Sequence, residues 1–360
     1  MAAVNGDNQA IESIMQSERE VVRAVSGLAD VIPDDDYVIM LGEEPKHSAP
    51  SLTLAKALAG LGIGVRFVRA DRLTRREWME TVHGARAILL VTYGEIEVYV
   101  LSQLATAVAM DVPIVRWWVG SDVLNATTLP EVRAHAQRVN SIVSANLAVA
   151  PHLVDELASI GIHARFVPSV LDPALIPPTI VRWGKQVRPI LIYMPGGRKD
   201  FYRIDLIERV IASNPDLEFI VVADHTHALA LYPNVESLGW VTDMRAQYDR
   251  AGCVLRMTTH DGLPRMLMEA LLRGLYAIYS WPLEGCWRAR TPEEVGSTLA
   301  LYRQMREPNM DGREAVLEML RMRPEEKISS VLSSTSVALP RRAHALGLAV
   351  RTKVFPAQFT

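Results

Sequence analysis

Read as a string of apolar and polar positions, the chain opens with Ile11, Ile14, Met15, Val21, Val22 and Val25 near helical spacing, which predicts an amphipathic helix over residues 1–33. A different rhythm follows. Short β-rich runs at Tyr37–Leu41, Val65–Val68, Ala87–Val91, Ile114–Trp118, Ser141–Val143 and Arg165–Val167 alternate with helical stretches. The helices are expected around Leu52–Leu61, Glu77–His83, Val98–Met110 and His152–Ile160. Apolar strands alternating with helices predict a parallel sheet covered on both faces.

The pattern breaks at Leu171–Val187, where Asp172-Pro173, Pro177 and Pro178 suit an inter-domain linker. It then restarts. Strands are expected at Ile190–Met194, Glu218–Val222, Cys253–Arg256 and Tyr276–Tyr279, and helices at Tyr202–Ser213, Met244–Asp249, Leu263–Arg273 and Pro292–Met305. The reading is therefore α/β: two tandem Rossmann-like, doubly wound domains over 34–170 and 188–310, joined by a linker at 171–187. A helical segment with a basic tail follows over 311–360. The length of 360 residues suits two domains of roughly 150 residues each.

Composition narrows the classes. A net charge of −3 and a pI near 6.3 supply no basic field for nucleic acid. The two cysteines, Cys253 and Cys286, form no CxxC or His/Cys cluster, so no structural zinc is expected and a reduced, cytoplasmic setting fits. No signal-peptide pattern and no run of ~18 apolar residues is seen.

In open parallel sheets, ligands bind beyond the carboxyl ends of the strands. Three such loops carry candidate chemistry. In Met194-Pro195-Gly196-Gly197-Arg198-Lys199, two glycines admit a close ligand, and Arg198, Lys199 and Arg203 place positive charge beside a helix start. That suits a diphosphate; a Pro-Gly turn with solvated cations is the plainer alternative. In Thr258-Thr259-His260-Asp261-Gly262-Leu263-Pro264-Arg265, Asp261 sits where a helix N-cap belongs. Asp261, Arg265 and Glu269 then share one helical face, offset by about 40° each. Acids on so apolar a helix need partners or a ligand; an Arg265–Glu269 ion pair would satisfy them without one. In Leu238-Gly239-Trp240-Val241-Thr242-Asp243, backbone groups near Gly239 can receive a nucleobase, or the loop is a simple turn.

Together, in this order and spacing, these loops resemble the family-4 glycosyltransferases, which have the GT-B fold. The match centres on Asp261-x7-Glu269, followed by Ala270-Leu271-x-x-Gly274 and a strand at Ala277–Ser280. Gly197-Arg198 and then Arg203 match the family's basic positions. In the first half, Pro113–Val123, with Gly120-Ser121-Asp122, resembles the strand ending in His-Gly-Ser-Asp; Ser144-Ala145-Asn146 and Gly161-x4-Val167 extend the likeness. The resemblance spans roughly residues 36–305. It implies two domains facing across a cleft and a retaining transfer from a nucleotide-diphosphate sugar, with no metal and no further cofactor. It implies that Glu269 binds the donor ribose, that Asp261 stands near the donor sugar, and that Arg198 and Arg203 stabilise the leaving diphosphate. Gly197, Lys199, Gly239, Gly262, Leu263 and Arg265 complete the implied donor site. The acceptor is a glycan, a lipid-linked molecule or a small molecule.

Two departures stand out: Asp261 where the family has Glu, and Val119 where it often has His. They keep open a second class, a GT-B-fold protein that has lost catalysis and serves as a scaffold. His47, Trp118 and Asp122 are candidate acceptor or cleft residues, and Glu95 and Glu97 sit on another strand-end loop. Asp34-Asp35-Asp36 precedes a strand and reads as a turn, not a metal site. Gly60–Gly64 follows a helix and reads as a C-cap. Around the apolar stretch Ala345–Val350 lie Arg341, Arg342, Arg351 and Lys353. This tail docks on an anionic membrane, packs back on the first domain as a helix, or is a mobile tail.

Overall fold

A computed structural model of the chain describes residues 36–42, 49–91, 97–171, 180–181 and 183–354. The helix expected over 1–33 lies outside them, as does most of the expected linker. The chain divides into two compact units, one running to Val170 and resuming at Pro324, the other spanning Leu171–Arg323.

The first unit is built on β1 (Tyr37–Leu41), β2 (Gly64–Val68), β3 (Ala85–Val91), β4 (Ile114–Trp118), β5 (Ala145–Ala148) and β6 (Arg165–Phe166). They pair in the order β2-β1-β3-β4-β5-β6, every neighbour parallel. Parallel strands need crossovers on the sheet faces, so the central strands are buried on both sides. All five residues of β4 are buried, which is why these strands read as continuous apolar runs. Ile39, Ile88 and Leu90 pack with Trp78, Leu104, Val108 and Val139. The helix Arg75–His83 starts at a capping box: Glu77 N donates to Thr74 Oγ1 at 3.3 Å, and Thr74 N donates to Glu77 Oε2 at 2.8 Å.

Two expectations fail here. Residues 141–143 form no strand; they close the helix Pro130–Asn140, with Ile142 N bonded to Val139 O at 3.0 Å, and β5 starts at Ala145. Ile142 and Val143 are apolar because they plug the core under that turn. The helices Ser121–Thr128 and Pro130–Asn140 were not foreseen, because their apolar positions are too sparse to set a period.

The second unit carries β7 (Ile190–Tyr193), β8 (Phe219–Val222), β9 (Val235–Gly239), β10 (Cys253–Arg256), β11 (Tyr276–Tyr279) and β12 (Trp287–Arg288). Their order is β12-β11-β10-β7-β8-β9, again all parallel. The order reverses between β7 and β10, the topological switch point of a doubly wound sheet. Ile190, Ile192, Leu255 and Ile278 meet Leu206, Val210, Leu299 and Tyr302 in its core. The helix expected from Tyr202 begins at Ile204, because Arg203 takes a left-handed backbone at φ 52°. Helix Met310–Arg321 belongs to this unit. At Gly285, with φ +82°, an added Cβ would lie 2.5 Å from Gly312 Cα, so two glycines let the backbones touch.

From Pro324 the chain rejoins the first unit, so residues 311–360 do not act as one segment. Helix Leu339–Val354 lies against helix Glu97–Ala109. Ala345 is fully buried in the first core, and Leu348 and Ala349 pack on it. Arg342 Nε donates to Ala109 O at 3.0 Å, and the His344 ring meets Ser141 Oγ at 3.0 Å. The structure shows this helix packed back on the first unit, with Leu346 half exposed.

Ala345→Asp places an unpaired carboxylate in that core. It is expected to destabilise the protein by at least about 3 kcal/mol, read as a lowered urea midpoint. An unchanged midpoint would mean that this helix is not docked in solution.

Candidate functional site

The loops leaving β7 and β10 flank the switch point of the second sheet, so topology brings the first two candidate loops together. After β7, Gly196–Arg198 form a short 3-10 turn. Gly197 and Arg198 are exposed, and Arg198 Cζ lies 4.0 Å over the Phe201 ring. Lys199 Nζ donates to Thr226 Oγ1. Thr226 in turn donates through N and Oγ1 to Asp224 Oδ1, at 3.0 and 2.6 Å. Asp224 Oδ2 accepts from Ala228 N at 2.7 Å. Burial opposes the Asp224 charge, but these donors and Lys199 hold its carboxyl below the ordinary value. Asp224 and Thr226 were not anticipated from the sequence.

After β10 the expected geometry changes. The helix runs Arg265–Leu272 with Pro264 as N-cap, so Asp261 neither caps it nor shares its face with Arg265 and Glu269. Pro264 restrains the preceding residue from helical backbone and delays the start. Asp261 instead pairs with Arg256, the last residue of β10. Arg256 Nε and Nη2 reach Asp261 Oδ2 at 2.7 and 2.6 Å. Asp261 Oδ1 accepts from Gly262 N at 3.0 Å. The side chains are only 10% and 16% exposed. Burial works against the Arg256 charge, but Asp261 with Tyr202 and Tyr279 outweighs it and holds the guanidinium protonated. Gly262 and Leu263 are buried, and Gly262 O accepts from Tyr279 Oη at 3.3 Å. Arg256 also was missed; its signal is a charged residue closing an apolar strand.

Glu269 lies on the helix that Pro264 begins. Tyr248 Oη donates to its Oε2 at 2.8 Å. Arg273 Nη1 donates to the Glu269 carbonyl at 3.0 Å, with Arg273 Cζ 4.9 Å from the Tyr248 ring centre. Burial pushes the Glu269 carboxyl up; Tyr248, Arg265 and Arg273 pull the other way without cancelling it. Burial lowers Arg265, and Glu269 opposes that, so the two are electrostatically coupled. A buried acid whose carboxyl is raised beside partner charges is a signature that active sites share with structural networks.

Gly239 ends β9 with φ +64°, beside the His227 ring. The next residue, Trp240, is about half exposed and stacks on His225, centroids 6.2 Å apart and planes 13° apart.

In the first unit, the loops after β1 and β3, with His47 and Glu95, lie outside the described residues. After β4, Asp122 is buried. Its Oδ1 accepts from Gly120 N at 2.8 Å, Val123 N at 3.0 Å and Val119 N at 3.2 Å. Burial raises its carboxyl; Arg116 and these backbone donors act against that. Arg116 Cζ sits 3.3 Å from the Trp118 ring centre, and Trp118 Nε1 donates to Asn146 Oδ1 at 3.0 Å. Trp117 and Trp118 are both core residues. Trp118 is therefore no stacking platform, and Asp122 organises the turn from within. Of the acidic run, Asp36 is among the described residues, and its Oδ1 accepts from Arg86 Nε at 2.6 Å.

No family model and no curated protein sequence matches this chain. Solved structures do. HepE of Anabaena, in complex with UDP and glucose, is 13% identical and covers 83% of this chain and 100% of its own, with a TM-score of 0.61. Sucrose-phosphate synthase of Thermosynechococcus elongatus is 12% identical over 82% of this chain and 98% of its own, TM-score 0.58. A glycosyltransferase of Rickettsia africae is 8% identical over 83% and 98%, TM-score 0.58. At these identities the likeness establishes the fold: two tandem parallel α/β units of the GT-B class.

Removing one partner of a buried ion pair strands the other. Asp261→Ala and Arg256→Ala are each expected to destabilise by about 3–5 kcal/mol, and the double variant by clearly less than their sum. Denaturant unfolding of all four proteins measures this, and strict additivity would show that the pair is not formed.

Proposed function

We propose that this chain is a glycosyltransferase using a nucleotide-diphosphate sugar, of the retaining, metal-independent kind that the family-4 resemblance implies. The observation that carries the reading is the meeting, at the β7/β10 switch point, of the Gly196–Lys199 turn with the loop leading to Glu269. In support, HepE, with the same fold, was solved with UDP. In the reaction, the bond from the sugar anomeric carbon to the distal phosphate oxygen breaks. An acceptor oxygen bonds to that carbon and passes its proton to the freed phosphate oxygen, and the nucleoside diphosphate leaves.

Each residue then has a distinct task. The exposed Arg198 and the neighbouring Lys199 stand at a backbone opened by Gly197, and neutralise the charge that grows on the leaving diphosphate. Glu269 accepts the ribose hydroxyls. Hydrogen bonds to the charged form favour ionisation, so donor binding draws its raised carboxyl back toward the charged state. Asp261 positions the loop through Arg256, and Gly239 offers backbone groups to the base beside Trp240. The acceptor is a glycan, a lipid-linked molecule or a small molecule.

Glu269→Gln separates function from packing. A carboxyl raised in the folded state gives a contribution that is complete below its ordinary value of 4.5 and is lost as pH rises through the folded value. The variant lacks this loss, so its melting temperature should gain on wild type between acid and neutral pH. Its affinity for UDP should fall about tenfold or more, because charge-assisted bonds are lost. Calorimetric titration with UDP and thermal melts across pH read both; unchanged UDP affinity sinks the donor assignment.

Excess EDTA should leave transfer largely intact, and NMR of the product should show the donor's anomeric configuration kept. Loss of activity restored by Mn²⁺, or an inverted product, contradicts the respective half of the reading.

A further inference from the structure

After β7, the two basic positions that carry the family resemblance are Arg198 and Arg203. Lys199 stands between them and matches neither. The fold sends it to the other flank of the turn. Arg203 borders a space with Thr258 and Ser280, which follow β10 and β11. Lys199 reaches Thr226, in the loop that leaves β8 on the opposite side of β7.

That loop is built around a carboxylate. Asp224 is enclosed, at 0% exposure, and both of its oxygens are held by its own turn. Oδ1 accepts from Thr226 N and Thr226 Oγ1, and Oδ2 accepts from Ala228 N. Left-handed backbone brackets the turn, at Ala223 (φ 68°) and His227 (φ 48°). Neither is glycine, so each carries a conformational cost that the surrounding bonds must offset. The glycine turn rests directly on this loop: a Cβ added to Gly196 would meet Thr226 Cγ2 at 3.5 Å and Asp224 Oδ1 at 3.8 Å.

The protons run in one direction. A threonine hydroxyl has a single proton, and Thr226 spends it on Asp224. It therefore presents lone pairs to Lys199, whose ammonium donates to it. An ammonium has three protons, so this bond leaves two for a ligand. A direct bond from Lys199 to Asp224 would draw the ammonium inward and cancel its charge at contact. The interposed hydroxyl keeps that charge near the turn surface while Asp224 still attracts it. Lysine is a point charge on a flexible stem, and without such a hold it spreads over many rotamers.

We propose that Asp224 and Thr226 are positioning residues: the buried carboxylate orients the Thr226 hydroxyl, and the hydroxyl holds the Lys199 ammonium on the β8 flank of the glycine turn, where it meets the leaving diphosphate. The task of the ammonium rests on the donor reading; the hold on it does not.

Two measurements on the full chain test this. The first needs no ligand. Acetic anhydride acetylates each lysine according to how free its amine is, and peptide mass spectrometry reads the sites separately. Lys199 is expected to react several-fold faster in Thr226→Val than in wild type, and at the wild-type rate in Thr226→Ser, which keeps the hydroxyl. Exposed Lys185 serves as the internal standard and should not change. Asp224→Asn keeps the size but not the charge, and should also free Lys199. The second measurement is calorimetric titration with UDP. Lys199→Ala should weaken UDP about tenfold, and Thr226→Val several-fold. The double variant should be no weaker than Lys199→Ala alone, and Thr226→Ser should bind as wild type does. A merely structural threonine would give additive losses. Unchanged Lys199 labelling or unchanged UDP affinity in Thr226→Val, or strict additivity, overturns the proposal. A wild-type chain that ignores UDP, with labelling as described, removes the donor reading and leaves the hold of Asp224 and Thr226 on Lys199 standing.

Discussion

A guanidinium kept charged inside the carboxyl edge of the second sheet governs the loops around it. Arg256 ends a strand whose other residues are fully buried, and a charge there needs a partner at hydrogen-bonding range. Asp261 meets it only if residues 257–260 turn back on the strand end. That turn, followed by Pro264, sets the helix start at Arg265. The start in turn places Glu269 against Tyr248 on the second turn of the helix. One ion pair thus decides where β10 stops, where the next helix begins and which way the second acid faces.

Strands buried on both faces were legible in the sequence almost to the residue: β1 and β11 are short apolar runs, and β4 and β10 are apolar but for Arg116 and Arg256. The edges were not. In β9, Glu236 is exposed and the strand closes on Ser237-Leu238-Gly239, while β12 has two residues; neither leaves a periodic trace. The motifs of the candidate site were visible because they are contiguous. Their partners were not, since Tyr248 and Glu269 are 21 positions apart and Lys199 and Thr226 are 27 apart. Only the strand order brings them together.

In the first unit, the segment resembling His-Gly-Ser-Asp explains its own departure. The contact that position 119 makes to Asp122 is through its backbone N–H, which any residue but proline provides. Gly120, at φ 147°, and the buried Asp122 carry the turn. Valine is therefore compatible with the turn geometry, and whatever a histidine side chain adds in related proteins is independent of it. Arg116, stacked on Trp118 and opposing the burial of Asp122, is the deeper constraint.

The substitution at position 261 is explained by the same logic. Both carboxylate oxygens of Asp261 are engaged by its own chain, Oδ2 by Arg256 and Oδ1 by Gly262 N. A glutamate would push the carboxylate one methylene further along. It could then not hold Gly262 N and Arg256 at these distances without shifting the loop. The shorter acid binds inward, and the charge it neutralises is structural. Arg198, on the exposed turn after β7, faces outward from this edge. An anion should therefore meet this face beside the glycine turn.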